Sequence, residues 1–346
     1  MSQYEFIKEI AKFGLENDQE KLLNALNAFI EHSKKTKKIN FALQLQSILK
    51  ESIRQQKANP LTKVGSETYY SRLDDKEMSD LILEKLTSDY SFSDLIASTK
   101  VKKELTLFME EHQKSEMLIR YKLPIANKIL LHGPSGCGKT LASYVIAGEL
   151  NKMMIVVNLG AIVSAKLGDT SKNLAKIFQR AAAEDCIILI DEFDSLGKVR
   201  DYSQDHGEMK RVVNTILQLF DYLPQTSIVI AATNQKDMLD TALLRRFDLS
   251  LRFELPTEEQ IRKLIALTLK SGPFQFDKPK TAQAIVKEAK GLSYFSIQKT
   301  LVSTIKRSLL NLPGSVADIP TKAPISTSMW KELLMEEKTA LGVPAV

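Results

Sequence analysis

Apolar positions recur at helical spacing through the first 56 residues. They are Phe6, Ile7, Ile10 and Phe13; then Leu22, Leu23, Leu26, Phe29 and Ile30; then Phe41, Leu43, Leu45, Ile48 and Leu49. A 3.6-residue period buries one face of each segment and leaves the other in water, which predicts three amphipathic helices. Gly14 ends the first, Asn17 followed by Glu20 resembles a capping box for the second, and the basic turn SKKTKK (33–38) separates it from the third. Residues 1–56 are therefore expected to form a three-helix bundle. Residues 57–75 hold Pro, Gly and Ser with no sustained period and read as a linker. EMSDLILEKL (77–86) predicts a short amphipathic helix that carries the linker to residue 87.

From about residue 88 the pattern changes. Short, nearly continuous apolar runs at 129–131, 155–157, 187–190, 228–231 and 249–253 alternate with helical stretches. Strands buried on both faces need such runs, and alternation with helices predicts an α/β fold with a doubly wound parallel sheet of five strands. After Pro256 the period returns to helical over TEEQIRKLIALTLK, TAQAIVKEAK, FSIQKTLVSTIKRSLL and SMWKELLMEEKTA. The expected domains are an adaptor bundle (1–56), a linker (57–87), an α/β domain (88–256) and a helical lid (257–346).

Composition narrows the class of protein. The chain has 346 residues, 44% hydrophobic and 26% charged, ordinary for a globular protein and unlike a disordered one. A net charge of +6 allows anionic partners without requiring nucleic acid. The basic run at 33–38 has no interleaved aromatics to stack bases, so nucleic acid is not an expected partner. The two cysteines, Cys137 and Cys186, have no C-x-x-C neighbour, and there are four histidines. A disulfide framework and a zinc ribbon are thereby excluded. No apolar run approaches the ~18 residues of a membrane helix. The first ten residues carry acidic groups and no long apolar stretch, so no signal peptide is expected. A soluble, reducing, cytoplasmic setting is the expectation.

Four motifs carry chemistry. GPSGCGKT (133–140) has the form G-x-x-x-x-G-K-[ST], follows the strand KILLH and opens the helix TLASYVIAGEL. Glycines let the backbone turn its N–H groups toward phosphate oxygens at a helix N-terminus. In that arrangement Lys139 reaches the β- and γ-phosphates and Thr140 holds Mg²⁺. CIILIDEFDSLG (186–197) ends a buried strand in two carboxylates, Asp191 to bind Mg²⁺ and Glu192 to polarise the attacking water. IVIAATN (228–234) ends another in Asn234, whose amide suits a γ-phosphate or the lytic water; an Asn in a turn after a strand is the plainer alternative. LDTALLRRFDLSLRFELP (239–256) sets Arg245 and Arg246 before the last strand, either as phosphoryl-stabilising fingers or as a solvated basic pair.

In this order and at these separations the set resembles the AAA+ ATPases, and within them the AAA group proper, over roughly residues 91–306. The compact LLRRFD is similar to that of microtubule-severing and ESCRT-disassembling members. The resemblance implies ATP and Mg²⁺, a sheet of order 5-1-4-3-2, a lid above it and a hexameric ring. It implies phosphate contacts from Gly133, Pro134, Ser135, Gly136, Cys137, Gly138, Lys139, Thr140 and Leu141. It places Asp94 and Ile96, in SFSDLIASTKVKKEL (91–105), beside the adenine. It makes Glu192, Asn234, Arg245 and Arg246 catalytic and Thr140 and Asp191 the metal ligands. GLSYFSIQKTL (291–301) resembles the G-x-S signature of the lid.

Two further likenesses bear on role. Where protein-threading members present an aromatic-aliphatic pair in the loop after the second strand, this chain has Lys166, Leu167 and Gly168. Lys and Leu grip a chain less well than stacked aromatics. Residues 1–52 resemble the N-terminal domain of bacterial AAA ATPases that pair with a subtilisin-like serine protease, and are similar in size to MIT-type adaptor domains. The functions implied are an ATP-driven ring acting on a protein substrate or partner, a nucleotide-dependent assembly switch with little threading, or a DNA-acting loader.

Overall fold

The computed structural model describes residues 6, 8–10, 12–13, 25–30, 32–33, 81–159, 169–195, 206–270, 272–311 and 323–343. The chain falls into two compact units, Met1–Ala58 and Asn59–Val346. In the first, described residues at 8–10 and 25–30 are helical, and Phe6 packs its ring on Phe29 at 5.6 Å between centroids. The third expected helix and the linker at 57–75 lie outside the described residues.

One sheet organises the second unit. Its strands are β1 (Ile82–Leu86), β2 (Lys128–His132), β3 (Met154–Val157), β4 (Ile187–Ile190), β5 (Ile228–Thr233) and β6 (Leu249–Arg252), in the order β1-β3-β4-β5-β2-β6. The strands from β2 to β6 run parallel, and β1 pairs antiparallel with β3. The expected sheet of five parallel strands is thus corrected to six: β1 is added antiparallel at the edge, beside β3, to the order 5-1-4-3-2 of the other five. The helix expected over 77–86 is corrected as well: its last five residues are the strand β1. All four residues of β3 are buried, and without a neighbour its outer edge would expose unpaired N–H and C=O groups. Pairing with β3 outweighs the helical propensity of Leu, Glu and Lys, a weak local preference. Lys85 is buried within β1 because its ammonium lies 2.6 Å from Glu184 Oε2.

Helices cover both faces. Strand residues alternate in direction, so Ile188, Ile190, Val229 and Ala231 meet Leu174, Ile177 and Phe178 of α4 (Asp169–Glu184) and Ile216 and Phe220 of α5 (His206–Tyr222). On the other face Ile129, Leu131, Leu189 and Ile230 meet Leu105 and Phe108 of α1 (Thr99–Gln113), which leads into the short α2 (Ser115–Arg120). Val145 and Ile146 of α3 (Lys139–Glu149) join them there. Each side chain fully buried this way contributes roughly 1.5–3 kcal/mol. The core therefore tolerates local strain at the strand ends, where the chemistry sits.

A short helix, α6 (Thr241–Leu244), precedes β6. After Pro256 come α7 (Glu258–Leu269), α8 (Pro279–Glu288), α9 (Tyr294–Leu310) and α10 (Thr327–Ala340). Thr257 and Gln260 close a reciprocal capping box on α7. Sequence periodicity missed a parallel pair here, β7 (Phe274–Phe276) with β8 (Ala323–Ile325). Trp330 of α10 stacks on Phe276 of β7 at 5.3 Å and centres the apolar cluster of this region.

Candidate active site

The P-loop, the carboxylates and the Asn234 amide all stand where parallel strands end, so the sheet itself brings them together. Gly133, Gly136 and Gly138 have φ of 135°, 71° and 91°, which side-chain-bearing residues rarely adopt. At Gly133 a Cβ would lie 2.0 Å from the carbonyl oxygen of Phe253, and at Gly136 one would lie 2.6 Å from Ser293 Oγ. At Gly133 the backbone leaves space only for glycine, and at Gly136 the left-handed φ adds to the crowding by Ser293 and Phe295. Gly138 leads directly into α3.

Lys139 is the first residue of α3 and is 7% exposed. Its Nζ donates at 2.8 Å to each of Gly133 O, Pro134 O and Asn234 Oδ1, using all three of its donors. Burial pushes this ammonium below its ordinary pKa, and Cys137 with the carboxylates of Asp191 and Asp194 partly offsets the effect. Thr140 Oγ1 donates to Asp191 Oδ2 at 2.8 Å. Pro134, Ser135 and Cys137 complete the loop, with the Cys137 thiol buried and pushed up in pKa by that burial. Leu141 packs into the apolar layer between α3 and the sheet.

Asp191 and Glu192 follow β4 and leave the strand in different directions. Asp191 turns to Thr140 and also accepts the N–H of Glu192 at 2.8 Å. Glu192 is exposed and has φ of 50°, a left-handed conformation that costs a non-glycine residue roughly 1–2 kcal/mol. Its neighbours hold it there: Phe193 N–H donates to Ala232 O and Ser195 N–H to Glu192 O, each at 2.8 Å. Strain of this kind, fixed by surrounding bonds, gathers at functional sites.

Sequence reasoning missed Asp194, which is 2% exposed. Its Oδ1 accepts Thr233 Oγ1 at 2.9 Å and the N–H of Asn234 at 3.3 Å, tying the carboxylate segment to the end of β5. A third acid, three residues past Asp191 and beside a phenylalanine, was the available signal.

Arg245 and Arg246 are exposed and follow α6. Asp248 N–H donates to Lys128 O, so the pair stands at the start of β2, whereas the P-loop begins at its end. Five residues at ~3.3 Å each put roughly 16 Å between these ends. Arg246 points to Asp221 at the end of α5, with Nε–Oδ1 of 2.9 Å and Nη2–Oδ2 of 3.1 Å. The arginines are therefore not gathered with the P-loop of their own chain.

The segment 91–98 borders the loop on another side. Leu95 Cδ1 lies 4.0 Å from the position of a Cβ on Gly138, and Ile96 packs against the lid cluster. Asp94 Oδ2 accepts from Ser91 N and Ser91 Oγ at 2.8 and 3.0 Å, closing a local turn. Lys166, Leu167 and Gly168 lie outside the described residues. Among the described residues no helix is long and apolar enough to cross a membrane, and both cysteines are free and buried.

The oxygens of Thr140 and Asp191, converging at 2.8 Å, are the hard donors Mg²⁺ takes, and Mg²⁺ is usually held by one or two such groups plus substrate phosphates. The residues fit that ion.

Residues 129–255 match the family described as ATPase family associated with various cellular activities (AAA). An uncharacterized AAA family ATPase, y4kL of Sinorhizobium fredii, is 32% identical over 66% of this chain and 68% of its own length. A putative 26S proteasome regulatory subunit homolog of Methanocaldococcus jannaschii is 31% identical over 63% of this chain and 59% of its own length. The crystal structure of the FIGL-1 AAA domain overlays with a TM-score of 0.59 at 19% identity, covering 78% of this chain and 94% of that one, a likeness of fold. A glycine-rich loop opening a helix, a Thr–Asp pair whose oxygens fit Mg²⁺ and a relative matched over two thirds of its length lead to one conclusion: the chain belongs to the AAA family of ATPases, and ATP hydrolysis is the activity that membership implies.

Proposed function

We propose that this chain binds and hydrolyses ATP as a ring and uses the cycle to act mechanically on a protein. The observation that carries the reading is the joining of three strand ends by two 2.8 Å hydrogen bonds, Lys139 to Asn234 and Thr140 to Asp191. The loop N–H groups and Lys139 would bind the β- and γ-phosphates. Thr140 and Asp191 would hold Mg²⁺, which neutralises developing charge on the phosphate oxygens when bound. Glu192, exposed beyond the strand end, would orient the attacking water and take its proton, a role worth ~10²–10⁴ in rate. Asn234, held by Asp194, would report on the γ-phosphate.

The position of Arg245 and Arg246 supports action on a neighbour's nucleotide, since roughly 16 Å of strand separates them from their own P-loop. A closed ring, a hexamer in our reading, supplies that neighbour at every interface. A relative named as a proteasome regulatory subunit homolog supports a protein substrate. Residues 1–56 would be the adaptor, and their sequence likeness supports a subtilisin-like serine protease as the partner. Lys166 in place of an aromatic favours a second reading, a nucleotide-driven assembly switch with little threading.

The test is ATP turnover by the full-length protein across a range of concentrations, with Arg246→Ala and Lys139→Ala examined singly and mixed. Specific activity should rise with concentration, and the mixture should recover part of what each variant lacks. Concentration-independent turnover with no recovery would overturn the ring.

A further inference from the structure

The lid seals one cation away from water. Lys338 of α10 is 2% exposed, and its Nζ has no hydrogen-bond partner among the described residues. It continues the helix face on which Leu334 and Trp330, one and two turns earlier, are buried in the lid cluster. The adjacent carboxylate, Glu337, is turned to Lys299 at 2.8 Å. The cover over Lys338 is the turn that closes α10. Val343 N–H donates to Lys338 O at 3.0 Å, Gly342 N–H donates to Thr339 O at 3.2 Å, and Gly342 has φ of 65°. Two such bonds around a left-handed glycine form a Schellman motif, in which the residue after the glycine ordinarily packs on an apolar side chain at the place Lys338 holds. Val343 packs instead toward Gly291, where a Cβ would lie 3.0 Å from its Cγ1, and it borders the lid cluster. Closing the turn therefore takes an ammonium out of water and supplies no partner for it, which opposes the two terminal bonds and the packing of Val343. A Cβ on Gly342 would meet nothing within 4 Å, so the backbone has room to pivot there.

We propose that residues 341–343 are a latch on the lid, poised to open locally because closure buries Lys338 without a partner. Opening returns the ammonium to water beside the exposed Lys290 and frees the turn at Gly291. That turn leads within two residues to Ser293, whose Oγ would lie 2.6 Å from a Cβ on Gly136. The latch thus rests on the segment that sets the lid against the P-loop. It does not depend on what the P-loop binds.

The experiment is native-state hydrogen exchange, resolved by residue, on full-length wild type, Lys338→Met and Lys338→Arg in water and in urea below the unfolding transition. In wild type the N–H groups of Gly342 and Val343 should exchange far faster than those of Leu333 and Leu334, buried in the middle of the same helix, and at a rate that low urea leaves unchanged. Lys338→Met keeps the side chain's length without its charge and should slow exchange at 342 and 343 on the order of 10–100-fold, with no drop in the urea midpoint. Lys338→Arg keeps the charge and should keep the fast exchange. Should the methionine variant not fold, Lys338→Leu makes the same comparison. A short pulse of an amine-acylating reagent should also modify Lys338 of the native wild type. Unchanged exchange in the uncharged variant would overturn the latch, as would exchange and acylation that begin only with global unfolding. A lowered urea midpoint for Lys338→Met would overturn it too, because the ammonium would then be stabilising the closed lid.

Discussion

Lys139 Nζ and Asn234 Oδ1 are 2.8 Å apart, which links the start of α3 to the end of β5 through one buried cation. Replacing Lys139 by alanine removes that charge and leaves Gly133 O, Pro134 O and Asn234 Oδ1 without their donor. A lost charge contact in a phosphoryl-transfer site costs several kcal/mol. Lys139→Ala should lose ATP affinity by ~10²-fold or more while staying folded, as isothermal titration and circular dichroism would report. Near-normal affinity would remove the P-loop assignment.

Asp194 acts through other residues. With Asp194→Ala, Thr233 Oγ1 and the N–H of Asn234 lose a buried acceptor, a cost of about 1–3 kcal/mol. Urea denaturation should show that loss, and turnover should fall more than ATP affinity. Asp194→Asn keeps the Oδ1 acceptor and should restore most of both. Equal behaviour of the two variants would mean that Asp194 does not position Asn234 through that oxygen.

Arg246 and Asp221 form a two-pronged pair, but their side chains are 45% and 51% exposed, and pairs so hydrated contribute only ~0–1 kcal/mol. Asp221→Asn should therefore shift the unfolding midpoint little. If, as proposed, its charge acts at a neighbour's transition state, Arg246→Ala should cut turnover by ~10³-fold or more with ATP affinity largely kept. A large stability loss with normal turnover would make the arginine structural.

Two histidines predict an acid-side weakening. Burial holds His112 below its ordinary pKa against the opposing bond to Ala126 O, and burial with Lys236 and Arg252 does the same to His132. The unfolded chain then binds more protons than the folded one below about pH 6.5. Stability should be full above about pH 7 and fall as pH drops through the ordinary histidine range toward the folded values. Urea midpoints at pH 7.5 and 5.5 should differ for wild type and differ less for His112→Gln and His132→Gln. An unchanged pH dependence in both variants would rule these groups out.

The legible parts of the chain were those in which local chemistry dictates residue type. A loop with backbone packed against Phe253 and Ser293 must use glycine, and strands covered on both faces must be apolar, so both could be read directly. β1 could not, because Lys85 looks like a solvent-facing position until Glu184 is brought beside it by the fold. β7 and β8 have three residues each and pair only across the lid, too short for any period to register. Asp194 and Asp221 share the difficulty: their partners lie on other elements, and a carboxylate's role is invisible without them.

In the proposed mechanism one site binds ATP with the P-loop and hydrolyses it with Glu192. The most direct test is parallel measurement of ATP binding and phosphate release for wild type and Glu192→Gln. Glutamine keeps the side chain's size and its hydrogen bonding but removes the carboxylate that accepts the water's proton. ATP affinity should stay within a few-fold of wild type and phosphate release should slow by ~10²-fold or more, with the nucleotide retained as ATP. Wild-type phosphate release from Glu192→Gln would contradict it.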